Sequence, residues 1–401
     1  MGKKIIKDYG DFILYINFIG YDEVFITASI EKRTADSITT CYKIYQKIVD
    51  FLNQGNLQIV YERLFGDLQI QDKVLQARVE NFKELIYVNE LPVTYIEGKP
   101  CWGDGFAGLH IRAIKSNEAR DNVWTIYDGN IPCGRGWKRN NLKYIILQNI
   151  HGNIDKNCSR EEQTSQMFEY AEKLLRTQGA AYQNVIRTWI FISNILEWYD
   201  EFNRVRNRLY RKFNLIPDTY SENDINTIYL PASTGIQGEN SFGAAAIMDI
   251  YAIIPENNSN VEIASTTGVK QQSAFRYGSA FSRAISICES DNMQILVSGT
   301  AAIDDIGKSV HYDDTKAQIH FTLDVVNGLI QNKGAKFEDI FDATIYLKRP
   351  EDITIYQEIK NKYGINNIPS ICVLADVCRK ELLFELDAFV VLNNKKFKRQ
   401  L

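Results

Sequence analysis

Two periodicities alternate along this chain, and the places where one gives way to the other mark its elements. ILYINF (13–18) and VFITASI (24–30) read as strands, and an apolar stripe of helical period follows from Thr34 to Leu52. Leu57 to Phe65 is a second apolar run, Asp72 to Leu85 is helical again, and PVTYIEG and LHIRAI return to strand. This βαβαβ order predicts an α+β unit over residues 1–120.

From Val123 to Gly152 the strands VWTIYDGN and KYIILQNI flank IPCGRGWKRNN, whose Arg135, Lys138 and Arg139 predict an exposed basic turn. Ser159-Arg-Glu-Glu offers a capping box to a helix with Met167, Tyr170, Ala171 and Leu174 on its buried stripe. Arg187 to Ser193 reads as a strand, and Trp198, Phe202, Val205 and Leu209 give the next helix its core face. GAAYQNVIRTWIFIS, beginning at Gly179, is then paralleled by GAKFEDIFDATIYLK, beginning at Gly334, and Gln163 falls on Gln318 at the same offset. The parallel fits either two related units, over residues 121–260 and 261–401, or two amphipathic units with similar needs.

The last unit contains the most informative stretch, Ile371 to Val391. Two apolar runs flank the turn CRKE, and Leu383, Glu385 and Asp387 alternate with Phe384, Leu386 and Ala388 as in a strand with one mixed face. A carboxylate in such a pattern ordinarily faces solvent. The alternative is an acid at the mouth of a pocket, where desolvation lets it carry a proton near neutral pH.

Composition narrows the function classes. At 401 residues with 45% hydrophobic and 24% charged residues, the chain has material for two or three globular units. A net charge of -4 with interspersed signs predicts no nucleic-acid partner. No apolar run reaches the ~20 residues of a membrane span, and MGKKIIKDYG lacks the apolar core of a secretory signal, so no membrane partner is expected. Seven cysteines without a CxxC pair suit reduced thiols in a cytoplasm. His110, His151, His311 and His320 are scattered, which predicts no metal and disfavours a two-histidine iron site. Gly103-Asp-Gly-Phe-Ala-Gly108 is formally GxGxxG, but strand texture follows it where a dinucleotide site needs a helix, so it reads as a glycine-rich turn.

Three arginines stand out. Arg187 and Arg283 lie in apolar contexts where a guanidinium needs an anion, and Arg206 shares one helix face with Tyr199, Asn203 and Tyr210. Such a face is ordinarily solvated, with its aromatic stems packed flat. Ser233-Thr-Gly235 and Ser298-Gly299-Thr300 are small-residue turns whose amides can approach a carboxylate or an oxyanion, or simply turn the chain.

Cys372 followed by Glu385 in LLFELDAF resembles the end of a RidA/YjgF-type subunit. The longer string DVCRKELLFELDAF, with RTWIFISNI, YLPASTGIQG, FRYGSAFSRA and SGTAAI, resembles the chorismatases, enzymes built from RidA-like units that cleave the enolpyruvyl ether of chorismate. The resemblance implies three RidA/YjgF-like, chorismate mutase-like units fused into a pseudo-trimer, the first degenerate, and hence a monomer or weak oligomer. It implies Glu385 as general acid and a chorismate-like dicarboxylate held by Arg187, Arg206, Tyr210, Gly235, Arg283, Gly299, Thr300 and Cys372, with no cofactor. The rival reading is a RidA-like small-ligand binder without this chemistry. Two departures stand out. Ser370 occupies the place where RidA imine deaminases carry an arginine, which disfavours deamination. Leu374, eleven residues before Glu385, is larger than the family's usual residue at a position tied to product type.

Overall fold

Among the described residues, eighteen strands and six helices fall into three copies of one pattern, βββαβαββ. These residues are 4–393, with 35, 84, 86–89, 116–121, 156, 222–223, 258 and 267–272 excepted, in a computed structural model. The first copy comprises β1 (Lys4–Asp8), β2 (Ile13–Ile19), β3 (Glu23–Ser29), α1 (Ser37–Gly55), β4 (Leu57–Gly66), α2 (Gln71–Phe82), β5 (Thr94–Glu97) and β6 (Phe106–Lys115). The second runs β7 (Val123–Asp128), β8 (Ile131–Arg139), β9 (Leu142–His151), α3 (Arg160–Thr177), β10 (Val185–Ile192), α4 (Ile195–Lys212), β11 (Ala232–Gln237) and β12 (Ala246–Pro255). The third runs β13 (Glu262–Thr266), β14 (Ala284–Cys288), β15 (Asn292–Ala301), α5 (Thr315–Gln331), β16 (Ile340–Leu347), α6 (Ile353–Tyr363), β17 (Ser370–Leu374) and β18 (Phe384–Asn393).

Each copy forms one six-stranded sheet, and all three sheets have the same strand order. They read β1-β2-β3-β6-β4-β5, β7-β8-β9-β12-β10-β11 and β13-β14-β15-β18-β16-β17. The first unit, whose sequence shows no repeat with the others, thus has their topology in full. The expected βαβαβ core is present, extended at its start by further antiparallel strands. The bulges also coincide: the fourth strand slips against the sixth just before Tyr61, Arg187 and Asp342, which fixes these three as equivalent positions.

Local signals account for the helix starts. Asp36 caps α1, and Ser159 with Glu162 forms the reciprocal capping box on α3. On α4, Trp198, Phe202, Val205 and Leu209 are all buried. Of the glycine-rich stretch, 103–105 bends the chain and 106–108 already belongs to β6. The basic turn expected around Arg135 is instead strand β8. Arg135 is buried with Nη2 donating to Gln58 Oε1 of the first unit, and Arg139 bridges Glu23 of the first unit and Glu289 of the third, whereas Lys138 is exposed as expected and pairs with Glu256.

Helices cover one face of each sheet, giving three peripheral cores. The opposite faces meet in a fourth core to which all three sheets contribute, among them Phe65, Ile96, Phe191, Ile247, Tyr346 and Ile371. Sheets buried on both faces explain why every residue of β10, and every residue of β18 but the last, is buried. The ring is closed by three equivalent hydrogen bonds. The fifth strand of each unit ends by donating to the loop before the sixth strand of the next: Glu97 N to Glu239 O at 2.9 Å, Gln237 N to Asp376 O at 3.0 Å and Leu374 N to Lys99 O at 2.8 Å. The molecule is a pseudo-trimer in one chain. None of its described helices is long and apolar enough to cross a membrane.

Candidate active site

Three equivalent interfaces result, and their residues differ. The position occupied by Gly235 on the fifth strand of unit two is Tyr95 in unit one and Cys372 in unit three, paired with Leu64, Ile190 and Ile345 of the fourth strands. The position occupied by Glu385 on the sixth strand is Gly108 in unit one and Ile247 in unit two. In unit one Tyr95 turns into the peripheral core, where its hydroxyl donates to Asp67 O at 2.9 Å, and Ile247 lies in the shared central core. Between units three and one, a Cβ on Gly108 would meet the Ala28 carbonyl at 2.4 Å and Ile371 at 3.2 Å. Only between units two and three does a glycine face an acid.

There a cleft of about 500 Å³, including its open mouth, lies between α4 and β11 on one side and β15 and β18 on the other. Tyr199 and Arg206 enter from α4, Gly235 from β11, Arg283 from the start of β14, Gly299 from β15 and Glu385 from β18. Gly235 leaves room for the Tyr199 ring, whose Oη would stand 3.3 Å from any added Cβ.

Glu385 is 4% exposed. Among the described residues none hydrogen-bonds its carboxyl. Burial, and then the neighbouring Asp387 charge, push its pKa up to about 8 against the pull of Arg187 and Arg283. Arg206 is buried with Nη2 donating to Asn203 Oδ1 at 2.5 Å and Nε unpartnered, stacked between Phe202 and Phe281. Arg283 donates to the Tyr277 hydroxyl. Arg379 reaches the cleft from the β17–β18 loop, anchored by Gly307 O at 2.8 Å and Ser309 Oγ at 3.2 Å. Neither Arg206 nor Arg379 has a described carboxylate within ion-pair distance.

The structure therefore brings together Arg206, Gly235, Arg283, Gly299 and Glu385. It places five other residues singled out in the sequence elsewhere. Cys372 pairs with Ile345, whereas Glu385 pairs with Tyr346; one residue of offset turns the two side chains to opposite faces of the sheet, and Cys372 packs under the helices. Leu374 packs in that same peripheral core and is absent from the cleft wall. Tyr210 is buried among Phe168, Tyr182 and Phe213, one helical turn past the end of the cleft. Thr300 is buried with its hydroxyl on Ser298 O. Arg187 lies behind the cleft, bonded to Thr234 Oγ1 at 2.5 Å and Asp387 Oδ2 at 3.3 Å.

The small-residue turns are also differently employed. Ser233 N donates to Ser298 Oγ and Gly299 N to Thr234 Oγ1, so these amides join the two units rather than await a ligand. The residues that sequence reading passed over are Tyr277, Cys378 and Arg379. All three lie within the motif strings FRYGSAFSRA and DVCRKELLFELDAF, but turns without periodicity gave no sign of which side chains point inward. Burial pushes the Cys378 thiol up to about 12, with Glu385 adding to the shift, so it stands in the cleft as a neutral group.

Comparisons with known proteins agree with this architecture. Residues 271–392, essentially the third unit, match the family model Endoribonuclease L-PSP. A crystal structure of a chorismatase is similar over 83% of this chain and 92% of its own, at a TM-score of 0.60 and 18% sequence identity. The chain has the chorismatase fold. A 3-hydroxybenzoate synthase from Streptomyces hygroscopicus is 25% identical over 253 residues, which are 56% of this chain and 67% of that protein. Three RidA-like α+β units around one axis are thus what the chorismatase fold looks like here.

Among the described residues no group of three or more His, Cys, Asp and Glu is placed to hold a metal ion. The four histidines sit apart: His110 is buried against Thr27 and Thr344, His151 lies on Phe242, His311 on Phe321 and His320 on Tyr363.

Proposed function

We propose that this protein cleaves the enolpyruvyl ether of chorismate or a close dicarboxylate analogue, releasing pyruvate. The observation that carries this reading is a buried carboxyl of raised proton affinity sharing its cleft with Arg206 and Arg379, neither of which has a described carboxylate within ion-pair distance. A site holding one acid and three guanidiniums suits a dianion that must be protonated. The relative's name, 3-hydroxybenzoate synthase, and the chorismatase fold both support the substrate class.

In the proposed reaction Glu385 gives its proton to the terminal methylene of the enolpyruvyl group, which becomes a methyl, and positive charge develops at the ether carbon. Water or the ring hydroxyl attacks that carbon, and collapse releases pyruvate while a proton returns to Glu385. If water is consumed, the ring product is a dihydroxycyclohexadiene carboxylate. If it is not, pyruvate and a hydroxybenzoate together account for every atom of the substrate. The experiment is to incubate purified protein with chorismate and follow pyruvate; ligand binding without pyruvate would instead make it a RidA-like binder.

Two further outcomes follow from the geometry. A general acid works while protonated, so kcat/KM should be level below about pH 8 and fall about tenfold per unit above it, as Glu385 ionises. A profile that instead rises through this range would require a base. Replacing Arg206 by Met removes a charge-assisted hydrogen bond worth about 1.5–3 kcal/mol, so KM should rise about 10- to 150-fold with a smaller change in kcat. Steady-state kinetics that leave KM unmoved would take Arg206 out of the binding site.

A further inference from the structure

Behind the cleft lies a chain of buried polar contacts that the reaction above does not use. Thr234 Oγ1 accepts from Gly299 N at 3.1 Å and from Arg187 Nη2, and donates to Asp387 Oδ2 at 2.8 Å. Asp387 also accepts from Arg187 at 3.3 Å and from the Tyr346 hydroxyl at 3.5 Å. Asp387 stands two residues from Glu385 on the same face of β18, and Gly299 sits directly beneath the Glu385 carboxyl.

The pseudo-threefold repeat supplies an internal comparison. The equivalents of Thr234 and Asp387 one interface earlier are Thr94 and Asp249, which share the same hydrogen bond at 2.7 Å. There Tyr61 stands in place of Arg187 and donates to Asp249 at 2.9 Å, and Ile247 stands in place of the acid. At the remaining interface the pair is lost, with Ile371 and His110 in those positions. The Thr–Asp clasp is thus a device for joining units, and at one interface it has acquired an arginine partner and an acid to serve.

We propose that Asp387, acting through Thr234 and held by Arg187, is a positioning residue for Glu385: it pins the Gly299 amide under the carboxyl and sets a negative charge beside it. This rests on the reading of Glu385 as the acid. A like charge on the same strand face disfavours ionisation of Glu385, while Arg187 and Arg283 favour it. The other ionisable groups facing the carboxyl are Tyr199 and Arg206 from α4, Tyr346 from β16, Tyr277, and Cys378 and Arg379 from the β17–β18 loop. Charge and clamp make separable demands: the first sets when the acid holds its proton, the second where that proton is.

Three variants separate them. In Asp387→Asn the alkaline limb of the kcat/KM profile should move to lower pH by about one unit, because the like charge is gone. In Thr234→Val the clamp is lost but the charge stays, so kcat should fall about tenfold with the limb unmoved. Asp249→Asn, the matching change at the other interface, should lower the melting temperature and leave the limb in place. The carboxyl's own titration, read by isotope-edited infrared or 13C NMR of labelled glutamate with and without Glu385→Gln to assign the signal, gives a readout that needs no turnover. A Glu385 titration unchanged in Asp387→Asn would overturn the charge role, and wild-type kcat in Thr234→Val would overturn the clamp. Full turnover in Glu385→Gln would overturn the acid assignment instead, and the carboxyl titration would still report on the clasp.

Discussion

Glu385→Gln should release pyruvate from chorismate at least about 10²-fold more slowly than the wild type, with ligand affinity preserved. The amide keeps the shape and polarity of the carboxyl but has no proton of suitable acidity to give. General acid catalysis typically contributes about 10²- to 10⁴-fold. Because the lost interaction exists only in the transition state, kcat and kcat/KM should fall together. The variant should fold normally, since among the described residues no hydrogen bond holds the Glu385 carboxyl and its removal relieves a buried acid. Undiminished turnover would mean another group donates the proton. Asp387 is a poor substitute, because its Oδ2 accepts from Thr234 and Arg187 and it does not line the cleft.

Gly299→Ala should be nearly as damaging, by a different route. A Cβ at this position would stand 2.1 Å from Glu385 Oε1 and 3.2 Å from Thr234 Cγ2. The carboxyl is the end of a flexible side chain and Thr234 is fixed by its hydrogen bonds, so the carboxyl yields. A displacement of about 1 Å at a reacting group can cost about 10²-fold in rate. The expected result is a loss of that order in kcat, with the melting temperature within a few degrees of the wild type. A Gly299→Ala enzyme with normal kcat would show that the carboxyl does not act from the position seen here.

Much of this was legible in the chain itself. Hydrophobic period fixed most strands and helices, because each sheet face and helix stripe must meet apolar partners whatever their identity. Capping at Ser159 was readable because its partners are local. Glu385 and the arginines drew notice because ionised groups in apolar runs need a reason. Cys372 was misplaced for a reason equally physical. Sequence reading joined it to Glu385 by motif, whereas the pairing of β16 with both strands puts them one residue out of phase and so on opposite faces.

By itself, then, the sequence determined the elements of this protein, the repeat of its second and third units, and the presence of an acid and several arginines that required explanation. Tertiary structure decided what those charges do. In β18 the alternation of Glu385 and Asp387 with Phe384 and Leu386 is the pattern of a strand with one wet face, yet that face is turned toward the other two sheets and is buried. Burial, not alternation, raises the proton affinity of Glu385, and it arises only when three sheets close around one axis. The singling out of one cleft-bearing interface from three is likewise tertiary. It depends on Gly235 and Glu385, 150 residues apart in the chain, lining one cleft, where the equivalent positions are Tyr95 and Ile247 at one interface and Cys372 and Gly108 at another. No local property of either residue records that meeting, because it is set by the closure of the ring.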